Sequence, residues 1–201
     1  MTWVDDAIGA VMDKLRTHNL LENTLIVLAS DHASNKGKMT CYEAGAHCPA
    51  MIMWEGHLPK NAVSNQLVAN VDLEATIFDL CQVNVPDKVK LDGQSISSSI
   101  FKKDIKPDTV KYLEITYTRA VVTKNWKYIA TRFPDTITAK ITPENRKEYN
   151  QEGTIYSSRP GKGAVPERVR FSVNEDFPGY YDDDQLYHLA TDPEEQNNLA
   201  Y

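Results

Sequence analysis

Cysteine is scarce in this chain: 201 residues hold three, Cys41, Cys48 and Cys81. An odd count without paired metal spacing argues against a zinc knuckle and a disulfide framework, and leaves three buried thiols as the expectation. No apolar run approaches the roughly 18 residues that a membrane-spanning helix needs. Basic residues are the minority, 22 against 28 acidic ones for a net charge of −6, which disfavours nonspecific attraction to nucleic acid or to an anionic membrane surface. An anionic ligand must then be met by a local positive site. The first residues lack the basic start, continuous apolar segment and small-residue cleavage site of a secretory signal, so export is not argued and the compartment stays open. Neither a solenoid repeat nor a low-complexity tract occurs, and 41 % hydrophobic with 25 % charged residues matches an ordinary globular body with its own core.

What is there begins with helical spacing. Val4, Ile8, Val11, Met12 and Leu15 recur at intervals that predict an amphipathic helix, stopped at His18-Asn19. Leu25 to Ala29 is apolar without alternation, the pattern of a parallel strand covered by helices on both faces, and "PAMIMW" at 49–54 is a second such strand. Val71, Leu73, Ile77, Phe78 and Leu80 predict another helix, with Pro86 beyond its end. Near Pro107 the texture changes. "YLEITYT", "RAVVTKNWKYIATRF" and "QLYHLA" are rich in Tyr, Thr, Val and Trp, with a turn at Lys124-Asn125, and predict a small antiparallel sheet. The chain therefore divides into an α/β part over 1–108 and an α+β part over 109–201. Residues 134–180 hold many Pro, Gly and charged residues with little periodicity, and read as a long surface excursion.

The chemistry is concentrated in "ASDHASNKGKMTCYEAGAHCP". In open parallel sheets ligands collect beyond the carboxyl ends of strands, where loops aim side chains at one point, and Asp31 and His32 occupy that end. A carboxylate is a hard oxygen ligand for a divalent cation, and an imidazole ligates metal or donates to an anion. Against this stands the plainer reading that Asp31 caps a turn and His32 sits satisfied in a loop. Lys38 alone reads as a solvated lysine. With His32 and His47, which Gly45 and Pro49 bring to the next strand, it becomes a cradle for a tetrahedral oxyanion.

These stretches, taken in order, resemble the C-terminal portion of a sulfatase of the alkaline phosphatase-like superfamily. "VDDAIGAVMDKLRTHNLLENTLIVLASDH" is similar to that family's helix and strand ending in Ser-Asp-His/Asn-Gly, and "KMTCYEAGAHCPAMIMWEG" to its Lys-Gly-x-x-Tyr-Glu-Gly-Gly-x-Arg-x-Pro stretch. "VANVDLEATIFDLCQVNVP", "LDGQSI" and "DDDQLYHLATDPEEQNNLA" resemble its later helix, Asp-Gly-x-Ser turn and C-terminal ending. The implied fold is the C-terminal part of an alkaline phosphatase-like parallel sheet with flanking helices, plus a small antiparallel-sheet subdomain. By the same resemblance Asp31 and His32 would ligate a divalent cation, calcium first, and Lys38 would bind the sulfate of a sulfated small molecule or glycan. His47 stands where many relatives carry arginine, which leaves its catalytic and substrate-binding role open; Ala33 replaces the usual glycine. Because imidazole also suits borderline metals, manganese and zinc stay open beside calcium.

One departure is an absence. The family's formylglycine nucleophile arises from Cys/Ser-x-Pro-x-Arg, and these 201 residues hold no such motif. Cys48-Pro49 has the wrong spacing, and Ser158 in "SRPGK" matches only Ser-x-Pro-x-Lys, outside the expected context. Asp5-Asp6 reads as a solvated helix face and not as the family's Asp-Asp metal pair, and Trp54 and Trp126 as packing residues more than sugar platforms. The expected chain supplies the charge-stabilising half of a sulfuric ester hydrolase and is inactive alone, with an N-terminal half or a partner chain supplying the rest. A catalytically empty anion- or glycan-binding relative, and a phosphatase or phosphodiesterase of the same superfamily, remain the alternatives. Family members are often periplasmic, secreted or lysosomal.

Overall fold

The computed structural model describes residues 2–33, 37–38, 40–101, 110–139, 142 and 177–201. Along the chain run α1 (Thr2–Thr17), β1 (Ile26–Ala29), α2 (Glu43–Ala46), β2 (Ala50–Met53), α3 (Asn70–Leu80), α4 (Ser97–Ile100), β3 (Val110–Ile115), β4 (Thr118–Thr123), β5 (Trp126–Thr131), α5 (Asp135–Thr138) and β6 (Asp184–His188). They form two compact units. One comprises residues 1–29 and 50–107, the other residues 30–49 and 108–201. Most of the expected surface excursion at 134–180, Ser158 included, lies outside the described residues. Among the described residues no helix is long and apolar enough to cross a membrane.

In the first unit α1 ends where its sequence stops it. Asn19 takes φ 56°, the left-handed conformation that asparagine tolerates best among residues with a Cβ. Its N–H bonds Arg16 O at 3.0 Å and that of Leu20 bonds Leu15 O at 2.9 Å, the paired closure of a Schellman motif. Asp5 and Asp6 are exposed on α1 as expected.

β1 and β2 pair antiparallel, Ile26 opposite Met53 and Ala29 opposite Ala50. This corrects the parallel reading of the two unalternating strands. Such a run reports the covering of both faces and carries no direction. Direction is decided by the connection: Ser30 N–H donates to Pro49 O at 3.1 Å, so the whole of 30–49 leaves and returns at one place.

α3 also turns a different face inward from the one its apolar residues suggested. Asp72, Ala75, Thr76 and Leu80 are buried, whereas Val71 and Ile77 are exposed. The reason is the "LDGQSI" turn, which docks on polar groups. Asp72 accepts from Ala69 N at 2.7 Å and from Gln94 N at 3.0 Å, Thr76 Oγ1 accepts from Ile96 N at 3.1 Å, and Asp79 accepts from Ser95 and Ser97 hydroxyls. A Cβ on Gly93 would run into the Val71 carbonyl, so only glycine lets the turn approach.

The second unit holds the expected antiparallel sheet, four-stranded in the order β3-β4-β5-β6. A break falls at Thr116, φ 43°, inside the segment read as one strand to 118. The register aligns Leu113, Ala120, Ile129 and Gln185 in one row and Lys111, Val122, Lys127 and Tyr187 in the next. Ala120, Ile129 and Tyr187 pack there with Cys41, Tyr42 and Phe177. Tyr42 stacks on Phe177 with centroids 4.1 Å apart and planes within 3°. The loop residue Tyr42 is thus part of the sheet's core. Of the three cysteines only Cys41 is buried; Cys48 is partly exposed and Cys81 exposed, a correction to the expectation of three buried thiols. Trp126, exposed on the sheet, meets His188 edge to face at 4.5 Å.

Candidate functional site

Asp31, His32, Lys38 and His47 all lie on the segment 30–49, within the second unit. Three backbone closures shape it: Ser30 to Pro49 at its mouth, Ala33 N–H to Gly45 O at 3.0 Å, and Thr40 N–H to Gly37 O at 3.0 Å around Lys38. Gly45 is buried against the Gly37 carbonyl so closely that a Cβ would collide with it. The Tyr-Glu-Ala-Gly turn therefore needs glycine for close approach of backbone to backbone. Lys38 is half-buried in the tight turn between Gly37 and Thr40.

His32 Nδ1 lies 2.7 Å from Ala33 O. A carbonyl only accepts, so Nδ1 carries a proton in this contact, which turns Nε2 toward Asp31. Nε2 is 3.5 Å from Asp31 Oδ2. One cation between these two atoms would be within reach of both, since calcium–oxygen and zinc–nitrogen bonds run from about 2.0 to 2.6 Å. The donor set fits a divalent ion as a two-point chelate. Among the described residues no group of three or more metal-ligating side chains occurs, so further ligands would come from outside them.

His47 is mostly exposed, 78 % for its side chain, and its Nδ1 is 3.1 Å from Glu43 Oε2 one turn back. The other oxygen of Glu43 lies 2.6 Å from Lys127 Nζ, a fully buried ammonium. That ammonium also donates to Cys41 O at 3.0 Å and pairs with Glu195 Oε1 at 3.1 Å. Glu195 Oε2 in turn accepts from the Glu43 backbone N–H at 2.5 Å. Burial pushes the Glu195 carboxyl above its ordinary value, while Lys127 and the Glu43 N–H pull it back. Burial pushes the Cys41 thiol up to about 11 despite the Lys127 charge, and burial with the Asp31 charge raises Cys48. Neither thiol has the lowered pKa of a nucleophile.

Reading the sequence alone missed Glu43, Lys127 and Glu195. A signal was present for Lys127: with period two along β5, it shares the inward face with Ile129 and Thr131. No comparable signal marks Glu195, in an irregular segment with φ 56°.

Residues 1–83 match the family model described as Sulfatase. An ulvan-active sulfatase of Formosa agariphila is 26 % identical over 201 residues, covering 93 % of this chain and 35 % of that protein. An arylsulfatase of Hemicentrotus pulcherrimus is 29 % identical over 116 residues, covering 51 % of this chain and 21 % of that protein. The chain thus spans between about a fifth and a third of these two relatives. A solved structure described under the metabolism of multiple glycosaminoglycans by Bacteroides thetaiotaomicron superposes with a TM-score of 0.69 at 22 % identity, covering 98 % of this chain and 39 % of that one. A sulfatase from Pseudoalteromonas sp. superposes with a TM-score of 0.59 at 19 % identity, covering 98 % and 36 %. At such identities these structures show the fold alone, and the fold is the α/β architecture that the sequence implied.

Proposed function

For a chain that carries the sulfatase family's pattern over residues 1–83 and the sulfatase fold over nearly its whole length, we propose the role of the C-terminal portion of a metal-dependent, formylglycine-class sulfuric ester hydrolase. The observation that carries this reading is the closed segment 30–49, which holds Asp31 Oδ2 and His32 Nε2 3.5 Å apart together with a half-buried lysine and an imidazole on one short stretch. Asp31 Oδ2 and His32 Nε2 would hold the cation, with calcium first; when bound, the cation stabilises charge developing on the ester's sulfate oxygens. Lys38 contributes a positive charge to a chain of net charge −6 and binds the sulfate group. His47, on the same segment, would act as a donor to sulfate or to the leaving oxygen. The substrate class is a sulfated small molecule or glycan.

The nucleophile and the remaining cation ligands belong, on this reading, to an N-terminal half or a partner chain. Support comes from the apolar side chains that the first unit leaves in water: Trp3, Val4 and Val11 on α1, Leu28 on β1 and Met51 on β2. A complementary sulfatase portion would cover them.

The experiment is an assay of the purified chain with calcium and an aryl sulfate, beside Asp31→Ala/Lys38→Ala, alone and after co-expression with a sulfatase portion bearing Cys-x-Pro-x-Arg. Turnover is expected only in the complemented sample and is lost in the double variant. Turnover by the chain alone near ~10 s⁻¹, an ordinary enzyme's rate, would overturn the proposal. Complemented activity on aryl phosphate and none on aryl sulfate would assign a phosphatase instead.

A further inference from the structure

We propose that Glu43 is a positioning residue for His47, fixing its tautomer and ring orientation, and that the buried Lys127–Glu195 pair locks Glu43 for that purpose. The inference deepens the sulfatase reading and rests on it only for what His47 touches.

Each polar group of Glu43 has an assigned partner. Its N–H goes to Glu195 Oε2 at 2.5 Å, Oε1 to Lys127 Nζ at 2.6 Å, and Oε2 to His47 Nδ1 at 3.1 Å. Lys127 is held by three oxygens: its ammonium donates to Cys41 O at 3.0 Å and forms ion pairs with Glu43 Oε1 at 2.6 Å and Glu195 Oε1 at 3.1 Å, the last without hydrogen-bond geometry. It has no exposure to water. An i,i+4 pair on the surface of a four-residue helix would by itself fix little. Here the carboxylate is anchored from its buried side, so its free oxygen is held in place for the imidazole.

Charge points the same way. One ammonium faces the carboxyl groups of Glu43 and Glu195, and the Glu43 oxygen turned away from it lies against His47 Nδ1. That field favours a proton on Nδ1. Nε2 then becomes the ring atom presented outward, either as a lone pair or, in the imidazolium, as a donor to an oxyanion. The structure also accepts a cost to place Glu195: a buried side chain on a residue at φ 56°, a conformation disfavoured for residues with a Cβ. A carboxylate behind an imidazole is the same arrangement by which other proteins set the tautomer and direction of a functional histidine.

The test uses the full 201-residue chain labelled with ¹⁵N-histidine. Ring-nitrogen shifts give the tautomer, and titration with inorganic sulfate reports contact. Wild type is expected to show His47 protonated at Nδ1. Glu43→Gln, which keeps the backbone bond to Glu195, and Lys127→Met, which leaves Glu43 in place, should both shift His47 toward the other tautomer and weaken sulfate binding about tenfold, the loss of one charge-assisted hydrogen bond. Glu43→Gln is the safer fold, and its amide spectrum checks integrity if Lys127→Met unfolds. A wild-type His47 protonated mainly at Nε2, or a tautomer unchanged in Glu43→Gln, overturns the proposal. The expected tautomer changes with no sulfate response at His47 would leave the positioning role standing and remove His47 from the sulfate reading.

Discussion

At the scale of single residues the buried charges matter most. Lys127 has no exposure and faces Glu43 and Glu195, so removing its ammonium strands two carboxylates, one of them buried. Lys127→Met is expected to cost about 3 to 5 kcal/mol of stability, measured by urea unfolding. Tyr42 offers a milder contrast. Its hydroxyl donates to Gln185 Oε1 at 2.6 Å, but that oxygen also accepts from Tyr187 at 2.9 Å and stays satisfied without it. Tyr42→Phe should cost only about 1 kcal/mol. Asp184 carries a pH dependence of its own. The Tyr128 hydroxyl first, and then the Arg132 guanidinium, hold its carboxyl below the ordinary value. Its folded-state pKa is lowered, so this contribution is present above the unfolded carboxylate's titration and disappears as pH falls through the lower folded value. Tyr128→Phe is expected to move the Asp184 midpoint upward, followed by ¹³C NMR of the carboxyl.

Elements report how closely local pattern and tertiary demand agree. In α1 they agree: the apolar spacing and the His18-Asn19 stop coincide with the helix Thr2–Thr17 and its left-handed closure at Asn19. Asn19→Val should destabilise by about 1 to 2 kcal/mol, whereas Asn19→Gly should be tolerated. Two other glycines make a sharper comparison. Gly9 lies mid-helix with nothing within 4 Å of an added Cβ, while Gly45 abuts the Gly37 carbonyl. Gly9→Ala is expected to stabilise by up to about 1 kcal/mol, read as a rise in Tm. Gly45→Ala should lower Tm and abolish the sulfate response of segment 30–49. In α3 pattern and outcome part. The helix was legible, but its buried face was not, because Asp72 and Thr76 are held by backbone N–H groups of residues 94 and 96. No helical periodicity announces a turn some twenty residues away.

The whole molecule is more legible in class than in partnership. The antiparallel sheet of the second unit followed from its Tyr, Thr and Val content, and the sulfatase resemblance from motif order. The exposed Trp3, Val4, Val11, Leu28 and Met51 had no signature in the sequence, since the same amphipathic pattern serves a covered face and a bare one. The purified chain is expected to bind a hydrophobic dye and to self-associate as concentration rises, and both should fall on co-expression with the complementary portion. A monomeric chain that binds no dye would show those side chains to be covered already.

The sequence by itself determined what depends on neighbours along the chain: the helix at Thr2–Thr17 and its stop, the β-branched and aromatic content with the turn at Lys124-Asn125 that marks the second unit's sheet, and the carboxylate, imidazole and lysine gathered within one short stretch after β1. These follow from spacing and side-chain chemistry, which are local. Only the tertiary structure decided the antiparallel return of β2 beside β1, the inward face of α3, and the partners of Glu43. Each of those rests on contacts between distant segments; Lys127 and Glu195 lie 84 and 152 positions after Glu43, respectively. A buried ammonium is tolerable only when folding brings its acceptor and its two counter-charges together, and no stretch of sequence holds all three.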